Sequence, residues 1–527
     1  MTEMLRGPTE LPRNFNAAVH FIDRHIGAGR IDKIAVVDDD GRYSYGDLAV
    51  RVNRAGNALI KLGLAPESRV AMVMSDSIDF LAVFWGAIKA GFVPVPINTL
   101  LTAEHYEYIL DDCRAPILVI SESLYPVVAP ALNKTRYLKQ IVVSAAAVEN
   151  HEVLNELMAR ASSTLDAANT CSDDVAFWLY SSGSTGNPKG VKHIHSSLLY
   201  TAQTYGQQVL GIQCDDVVYS AAKLFFAYGL GNGMTFPLSV GATAVLAAER
   251  PTPAMVMALL GRHQITLYFG VPTLYAAILA DDKSMMKPGS GELRLCVSAG
   301  EALPEDIGRR WQECVGVPII DGVGSTEMLH IFLSNRPHDV HYGTSGVPVP
   351  GYEAKLVDDD GDTVARGELG ELVVKGQSSA EGYWNQRARS QRTFVGEWTY
   401  TGDKYYLDDD GYYRFCGRTD DMFKSGGNWV SPFEVEAILI THPTVLEAAV
   451  VGHPDEHGNI KPKAFVVLTA GNQEPSELVS ILQEYVKQQT ERWKYPRWIE
   501  ICTDLPKTAT GKIQRFKLRG TDGARVS

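Results

Sequence analysis

The chain has 527 residues, 45% of them hydrophobic and 21% charged, with 49 basic against 62 acidic side chains and a formal net charge of −13. That length predicts about three domains, and the composition excludes a disordered or collagen-like chain. The acidic balance argues against a general binder of nucleic acid or anionic membrane, so any polyanion must be met by a few local basic groups. The seven cysteines are widely spaced and form no CxxC. This speaks against a disulfide framework or zinc site and fits a reducing cytosol. No apolar signal-peptide core opens the sequence.

Residues 1–170 read as mixed α/β. Ile34 to Val37 is a strand candidate followed by the turn Asp38-Asp39-Asp40-Gly41. Ser44 then suits a helix N-cap with Asp47 at the third position, ahead of Leu48, Val52, Ala55, Leu59 and Leu62 at helical spacing. The longest apolar stretch, Phe80 to Ile97, is interrupted by Lys89, Pro94 and Pro96, and so predicts a buried helix running into a strand rather than a membrane span. RVAMVMS and PILVIS read as short buried strands.

Between 171 and 350, DVVYSAA, TAVLAAE, ITLYFGV and LRLCVSAG continue the alternation of strands with helices, which predicts a largely parallel sheet. From about 351, YEAKLVDDDGDTV, ELGELVVKG and GYYRFCGR are short alternating strands with Asp-Gly turns, predicting antiparallel hairpins or a small barrel. After Asp421 the pattern predicts a helix at Pro432 to Leu439, strands at Val445 to Val451 and Lys463 to Leu468, and a helix at Pro475 to Gln489. A small α+β domain accounts for these elements.

The strongest chemical feature is Tyr180-Ser-Ser-Gly-Ser-Thr-Gly-Asn-Pro-Lys-Gly190, after the apolar stretch Val175 to Leu179. Glycines can turn backbone N–H groups inward, the hydroxyls of Ser181, Ser182, Ser184 and Thr185 add donors, and Lys189 adds a positive charge, so the loop can cradle a polyanion. It is not a Walker loop, because Pro188 stands at the sixth position counted from Gly183. Thr510-Gly511-Lys512 fails the same pattern at Pro506 and Ile513. Gly229-Leu-Gly-Asn-Gly233 lacks the spacing of a dinucleotide loop, and His193-x-His195 reads as helix-entry or core histidines rather than metal ligands.

Further motifs follow in order: Asp321-Gly-Val-Gly-Ser-Thr-Glu327, Tyr400-Thr-Gly-Asp403, Gly417-Arg-Thr-Asp-Asp421 and Pro506-Lys-Thr-Ala-Thr-Gly-Lys512. With the Tyr180–Gly190 loop, this series resembles the acyl-adenylate-forming superfamily over nearly the whole chain. KLFFAYGLGNGMTFP, AGEALP and GSTEMLHIFLSN are similar to the aryl-CoA ligase branch, and among it to the benzoate–CoA ligases.

The resemblance implies an α/β fold. It has a large multi-subdomain N-terminal domain (1–420) with parallel-type sheets and a small β-barrel-like part, and a small mobile α+β C-terminal domain (421–527). It implies an AMP-forming acid–thiol ligase that joins benzoate or a simple substituted benzoate to coenzyme A through an aroyl-AMP, with ATP and CoA as substrates and Mg²⁺ as cofactor. The expected setting is the cytoplasm, as a monomer or homodimer, with no nucleic acid or membrane partner. Alternatives are a 4-hydroxybenzoate– or 2-aminobenzoate–CoA ligase, a stand-alone enzyme loading a carrier protein, and a catalytically silent acyl- or nucleotide-binding protein.

Residue by residue, the resemblance assigns the nucleotide to Ser181, Ser182, Gly183, Ser184, Thr185, Gly186, Lys189, Gly300, Glu301, Asp321, Gly322, Gly324, Thr326, Asp403 and Arg418. It assigns catalysis to Lys512, Thr326 and Glu327, with Glu327 also holding the metal. A hydroxyl can bond a phosphate oxygen, and one carboxylate plus substrate phosphates is a common Mg²⁺ donor set. A Lys at the α-phosphate would stabilise the charge of the transition state. The acid falls to Phe226, Ala227, Tyr228, Gly229, Phe236, Ala299, Leu329, His330 and Ile331, and the aromatic members favour a short flat pocket. Many relatives place His where this chain has Phe226. Asp420 is the implied hinge, and Ser425, Gly426 and Gly427 resemble the strand lining the CoA channel.

Overall fold

The computed structural model describes residues 11–181, 187–280, 291–469, 478–507 and 513–519. By packing, the chain divides into two compact units, 1–354 with 374–399, and 355–373 with 400–527. Residues 400–420, expected within the N-terminal domain, thus pack with the tail.

In the first unit, nine of the described strands form one sheet. Its centre is parallel: Ile34–Val37, Thr243–Val245, Val217–Ser220, Leu267–Gly270, Leu295–Ser298 and Ile319–Gly324 lie side by side in that order. Leu267–Gly270 and Leu295–Ser298 are buried at every position, as continuous apolar strands between helices should be. Antiparallel neighbours close both ends, Arg42–Ser44 at one and Ile331–Ser334 with Val347–Pro348 at the other. A second, parallel sheet runs Val93–Pro96, Arg69–Val73, Ile117–Ser121, Gln140–Ser144 and Glu152–Val153.

Local signals explain the elements between. Ser44 caps the helix Tyr45–Lys61, accepting from the Asp47 N–H while Asp47 accepts from the Ser44 N–H. The stretch Phe80 to Ile97 forms the helix Ile78–Lys89 and the strand Val93–Pro96. Lys89 is buried there because its ammonium meets Asp23 at 2.7 Å and Asn53 Oδ1 at 2.7 Å. Among the described residues no helix is long and apolar enough to cross a membrane.

Of the two expected forms, antiparallel hairpins or a small barrel, the described strands of this region form hairpins. Trp398–Leu407 pairs antiparallel with Phe394–Val395 at its start and, from Asp403 to Leu407, with Tyr413–Arg418, so the sheet branches on one long strand. Its other members are Glu353–Val357 and Gly370–Lys375, and the described strands leave it open rather than closed. In the second unit, Val445–Pro454, Ile460–Leu468 and Trp498–Cys502 form a mixed sheet, covered by the helices Pro432–Ile440 and Leu478–Lys487 through Val435, Leu439, Leu482 and Val486. Residues 475–477 of the expected second helix lie outside the described residues.

Candidate active site

Two paired strands flank the Gly/Ser/Thr stretch. Val175–Ser181 and Lys189–Ile194 pair antiparallel, with Ser181 opposite Lys189 and Tyr180 opposite Gly190. The outgoing strand is anchored by the Tyr180 hydroxyl, which donates to Asp112 at 2.6 Å. Ser182, Gly183, Ser184, Thr185 and Gly186 lie outside the described residues, but the paired strands fix where the stretch starts and where Lys189 resumes.

Lys189 Nζ stands 3.5 Å from Glu327 Oε1 and 3.3 Å from the Tyr383 hydroxyl, which itself donates to Glu327 Oε1 at 2.8 Å. The ammonium also lies over the Tyr383 ring, 4.5 Å from its centroid. Burial, with the Glu327 charge beside it, pushes the Tyr383 phenol up, so it stays a donor. Tyr383 is brought there because Gly382–Tyr383 pairs antiparallel with the Lys189 strand.

Glu327 and Thr326 sit on the turn between Ile319–Gly324 and Ile331–Ser334, not at a helix start. Its backbone is held carbonyl by carbonyl. His193 Nε2 donates to Thr326 O at 2.8 Å, Ala380 N to Glu327 O at 2.9 Å, and the Ser378 hydroxyl to Met328 O at 2.8 Å. The Ser325 hydroxyl accepts the Met328 N–H at 3.2 Å. Leu329 takes a left-handed φ of 65° to close the turn. Gly322 and Gly324 are required by close approach: a Cβ on Gly324 would lie 2.5 Å from His330 O, and one on Gly322 would lie 2.9 Å from Leu333 O.

Asp321 ends up buried, opposite Ser298 in the parallel pair, with a carboxylate oxygen accepting the Leu303 N–H at 3.3 Å. Burial pushes its carboxyl up to about 8 against these hydrogen bonds. Ala299, Gly300 and Glu301 follow Leu295–Ser298 directly, and Gly300 has φ +97° with open space around it. The Asp321 and Gly300 segments therefore meet at the carboxyl ends of neighbouring parallel strands, where open α/β sheets hold their ligands.

The same turn carries His330, one of the residues expected at the acid pocket. His330 is buried, its ring 4.5 Å edge-to-face from Phe236, 5.7 Å from Tyr228 and 5.3 Å from Tyr205. Its Nε2 donates to Tyr228 O at 3.3 Å, which fixes the tautomer, and burial lowers the imidazole to about 3. His330 is therefore a neutral ring that orients the Tyr228 backbone. The Tyr228 hydroxyl bonds Gly270 O at 3.2 Å and Val297 O at 3.3 Å.

Ala227, Tyr228 and Gly229 belong to the helix Ala227–Leu230, which Phe226 precedes. A Cβ on Gly229 would lie 2.1 Å from Lys223 O, and one on Gly231 would lie 2.3 Å from His330 Cδ2. The glycines of 229–233 thus serve close packing on helical backbone. Leu329 and Ile331 are buried beside His330.

Within the second unit, Asp403 and Arg418 lie opposite each other in register, and Arg418 Nη1 donates to Asp403 Oδ1 at 2.9 Å. Asp420 is exposed in the turn that follows Tyr413–Arg418, its carbonyl accepting from Arg519 at 2.8 Å. Ser425 is buried at the end of the strand Phe423–Ser425, but Gly426 and Gly427, expected on a strand, form the turn of a hairpin with φ +60° and +87°. Two left-handed residues are what a type I′ turn demands, and a Gly pair supplies them. Lys512 lies outside the described residues. Lys507 and Ile513 pair across its loop, and Arg515 bonds the buried Glu436 at 2.6 Å just beyond.

Sequence reasoning missed Tyr383 and gave His193 no role at the site. The pairing of Gly382–Tyr383 with the Lys189 strand is a long-range contact without a local signature.

The family of AMP-binding enzymes matches residues 23–384, and the AMP-binding enzyme C-terminal domain matches residues 434–512. The chain belongs to the AMP-binding enzyme family. It is 57% identical to the benzoate–CoA ligase of Thauera aromatica over 97% of each chain. It is 52% identical to a 4-hydroxybenzoate–CoA/benzoate–CoA ligase of Rhodopseudomonas palustris, over 96% of this chain and 94% of that one. A benzoate–CoA ligase structure from Burkholderia xenovorans LB400 superposes with a TM-score of 0.89 at 48% identity, covering 96% of this chain and all of that one.

Proposed function

We propose that the chain ligates benzoate to coenzyme A at the expense of ATP, through benzoyl-AMP. The observation that carries this reading is the turn Ser325 to His330. One short segment presents a hydroxyl and carboxylate, at Thr326 and Glu327, and a wall of an aromatic pocket, at His330 against Tyr228 and Phe236. The identity to benzoate–CoA ligases over nearly the full length supports it.

In the first step a carboxylate oxygen of benzoate attacks the α-phosphorus, the bond to the bridging oxygen breaks, and pyrophosphate leaves. Thr326 and Lys512 would stabilise the charge at phosphorus, and Lys189 with the Ser181 to Gly186 loop would hold the departing pyrophosphate. The buried Asp321 region with Gly300 and Glu301 would hold adenine, while Asp403 and Arg418 would take the ribose.

Glu327 would hold Mg²⁺, which supplies charge neutralisation at the phosphates. Among the described residues no group of three or more His, Cys, Asp or Glu could cage a metal. One carboxylate completed by substrate phosphates is the donor set that fits.

In the second step the CoA sulfur attacks the acyl carbon, the carbon–oxygen bond to AMP breaks, and the thiol proton is released. We assign the change between steps to a rotation of residues 421–527 about Asp420, with Ser425, Gly426 and Gly427 beside the pantetheine arm. The seven free thiols and the substrates fit the cytoplasm.

A second reading, that 4-hydroxybenzoate is also accepted, is favoured by His330 Nδ1, a buried acceptor with no hydrogen-bond partner among the described residues. A mass-spectrometric panel of acids with ATP and CoA tests both readings. Benzoyl-CoA should dominate over acetyl- and hexanoyl-CoA, and a preference for hexanoate would overturn the aryl pocket. Lys512→Ala should abolish benzoate-dependent ATP–pyrophosphate exchange while sparing thioester formation from supplied benzoyl-AMP.

A further inference from the structure

We propose that His193 is a positioning residue for the adenylation step, its Nε2–H holding the Thr326 carbonyl so that the Thr326 hydroxyl and the Glu327 carboxylate face the strand that carries Lys189. The inference rests on the roles given above to Thr326 and Glu327.

Its geometry is independent of those roles. His193 is fully buried on Lys189–Ile194, with its ring stacked on Phe177 at 5.2 Å and 20°. A carbonyl oxygen can only accept, so the 2.8 Å contact from Nε2 to Thr326 O fixes the proton on that nitrogen. Lys189 on the same strand reaches the Glu327 side chain, and Tyr383, paired to this strand opposite Val191, reaches it as well. The strand therefore grips the turn twice, at the backbone of Thr326 through His193 and at the carboxylate of Glu327. Without the imidazole, Thr326 O keeps, among the described residues, only the Leu329 N–H at 3.2 Å, a bond internal to the turn that cannot register it on the strand. His195, two residues on, does a different job: its Nδ1 accepts the Ala17 N–H at 3.1 Å at the head of the next helix.

Three variants of the full-length enzyme test this. His193→Leu removes the donor, His193→Gln restores an N–H near the Nε2 position, and His193→Asn places one nearer Nδ1, too far from Thr326. Expected are a fall of about tenfold or more in benzoate-dependent ATP–pyrophosphate exchange for the Leu and Asn variants, and activity within about threefold of the parent for Gln. Thioester formation from supplied benzoyl-AMP should change by less than about threefold in all of them.

Parent-like exchange in a folded Leu variant would overturn the proposal, as would equal loss of both half-reactions or equal behaviour of Gln and Asn. If the Leu variant does not fold, the Gln and Asn pair decides. Glu327→Gln is run alongside: if it leaves exchange intact, the reading of the turn itself fails, whatever His193 does.

Discussion

Tyr383 donates its hydroxyl to Glu327 Oε1 at 2.8 Å while accepting from Lys189 Nζ at 3.3 Å, so one phenol joins the cation and the anion. The direct Lys189–Glu327 distance is 3.5 Å, too long for a strong bond. The phenol holds the two charges together yet apart, which keeps Lys189 from collapsing onto the carboxylate.

Tyr383→Phe should therefore act on the first half-reaction. A hydrogen bond to a charged, half-buried group contributes about 1.5–3 kcal/mol. ATP–pyrophosphate exchange is expected to fall by about tenfold with a higher KM for Mg·ATP, while the melting temperature moves little. Steady-state exchange kinetics at several Mg²⁺ concentrations, paired with thermal unfolding, check this; an unchanged KM would remove Tyr383 from the site.

Gly231→Ala tests the pocket wall. Gly231 has helical backbone, φ −63° and ψ −60°, where Ala is intrinsically better by about 1 kcal/mol. Any loss is thus steric, from a Cβ 2.3 Å from His330 Cδ2 and 3.0 Å from Phe236 Cζ. The imidazole must leave Tyr228 O, and overpacking of this kind costs about 1–3 kcal/mol. Benzoate KM should rise by about tenfold with KM for ATP unchanged. Titrating each substrate at saturation of the other separates the two.

Asp321 makes stability depend on pH. Its folded-state value, about 8, lies above the ordinary 3.8, so the native chain holds a proton that the unfolded chain releases. The contribution is full below about 4 and is lost progressively as pH rises towards about 8. Asp321→Asn, which resembles the protonated form, should gain on the parent across that window and level off above it. Denaturant melts of both proteins in the absence of nucleotide, from pH 5 to 9, give the difference curve; a flat difference would contradict the burial argument.

Arg418→Lys separates binding from folding. The Arg418 side chain is 47% exposed and pairs with Asp403 at 2.9 Å, so the pair contributes only about 0–1 kcal/mol to stability. Lys loses the planar fork that aligns the carboxylate. KM for ATP should rise by about tenfold with benzoate KM and melting temperature nearly constant. Isothermal titration with ATP is the direct check, and unchanged affinity would exclude a ribose contact.

Much of this was legible because the signals are local. The Ser44–Asp47 capping box, the interrupted stretch Phe80 to Ile97 and the strands Val217–Ser220 and Leu295–Ser298 follow from spacing and burial over a few residues. The motif residues were findable because each lies in a short ordered string. What escaped depends on distance along the chain. Tyr383 reaches Glu327 over a sequence separation of 56, and His193 reaches Thr326 over one of 133. That Gly426 and Gly427 form a turn rather than a strand was not legible, because a Gly pair fits either, and only the φ values separate them.

Glu327 and His330 share one turn, three residues apart, with its carbonyls held by His193, Ala380 and Ser378. On the roles proposed for Glu327 and His330, substrate range and nucleotide activation would be mechanically geared. A protein engineer who widens the pocket at His330 or Leu329 also tugs the carboxylate at Glu327, so broadened acid tolerance should arrive with slower adenylation. A change at Phe236 would reach the turn as well, because its ring lies edge-to-face on His330 at 4.5 Å.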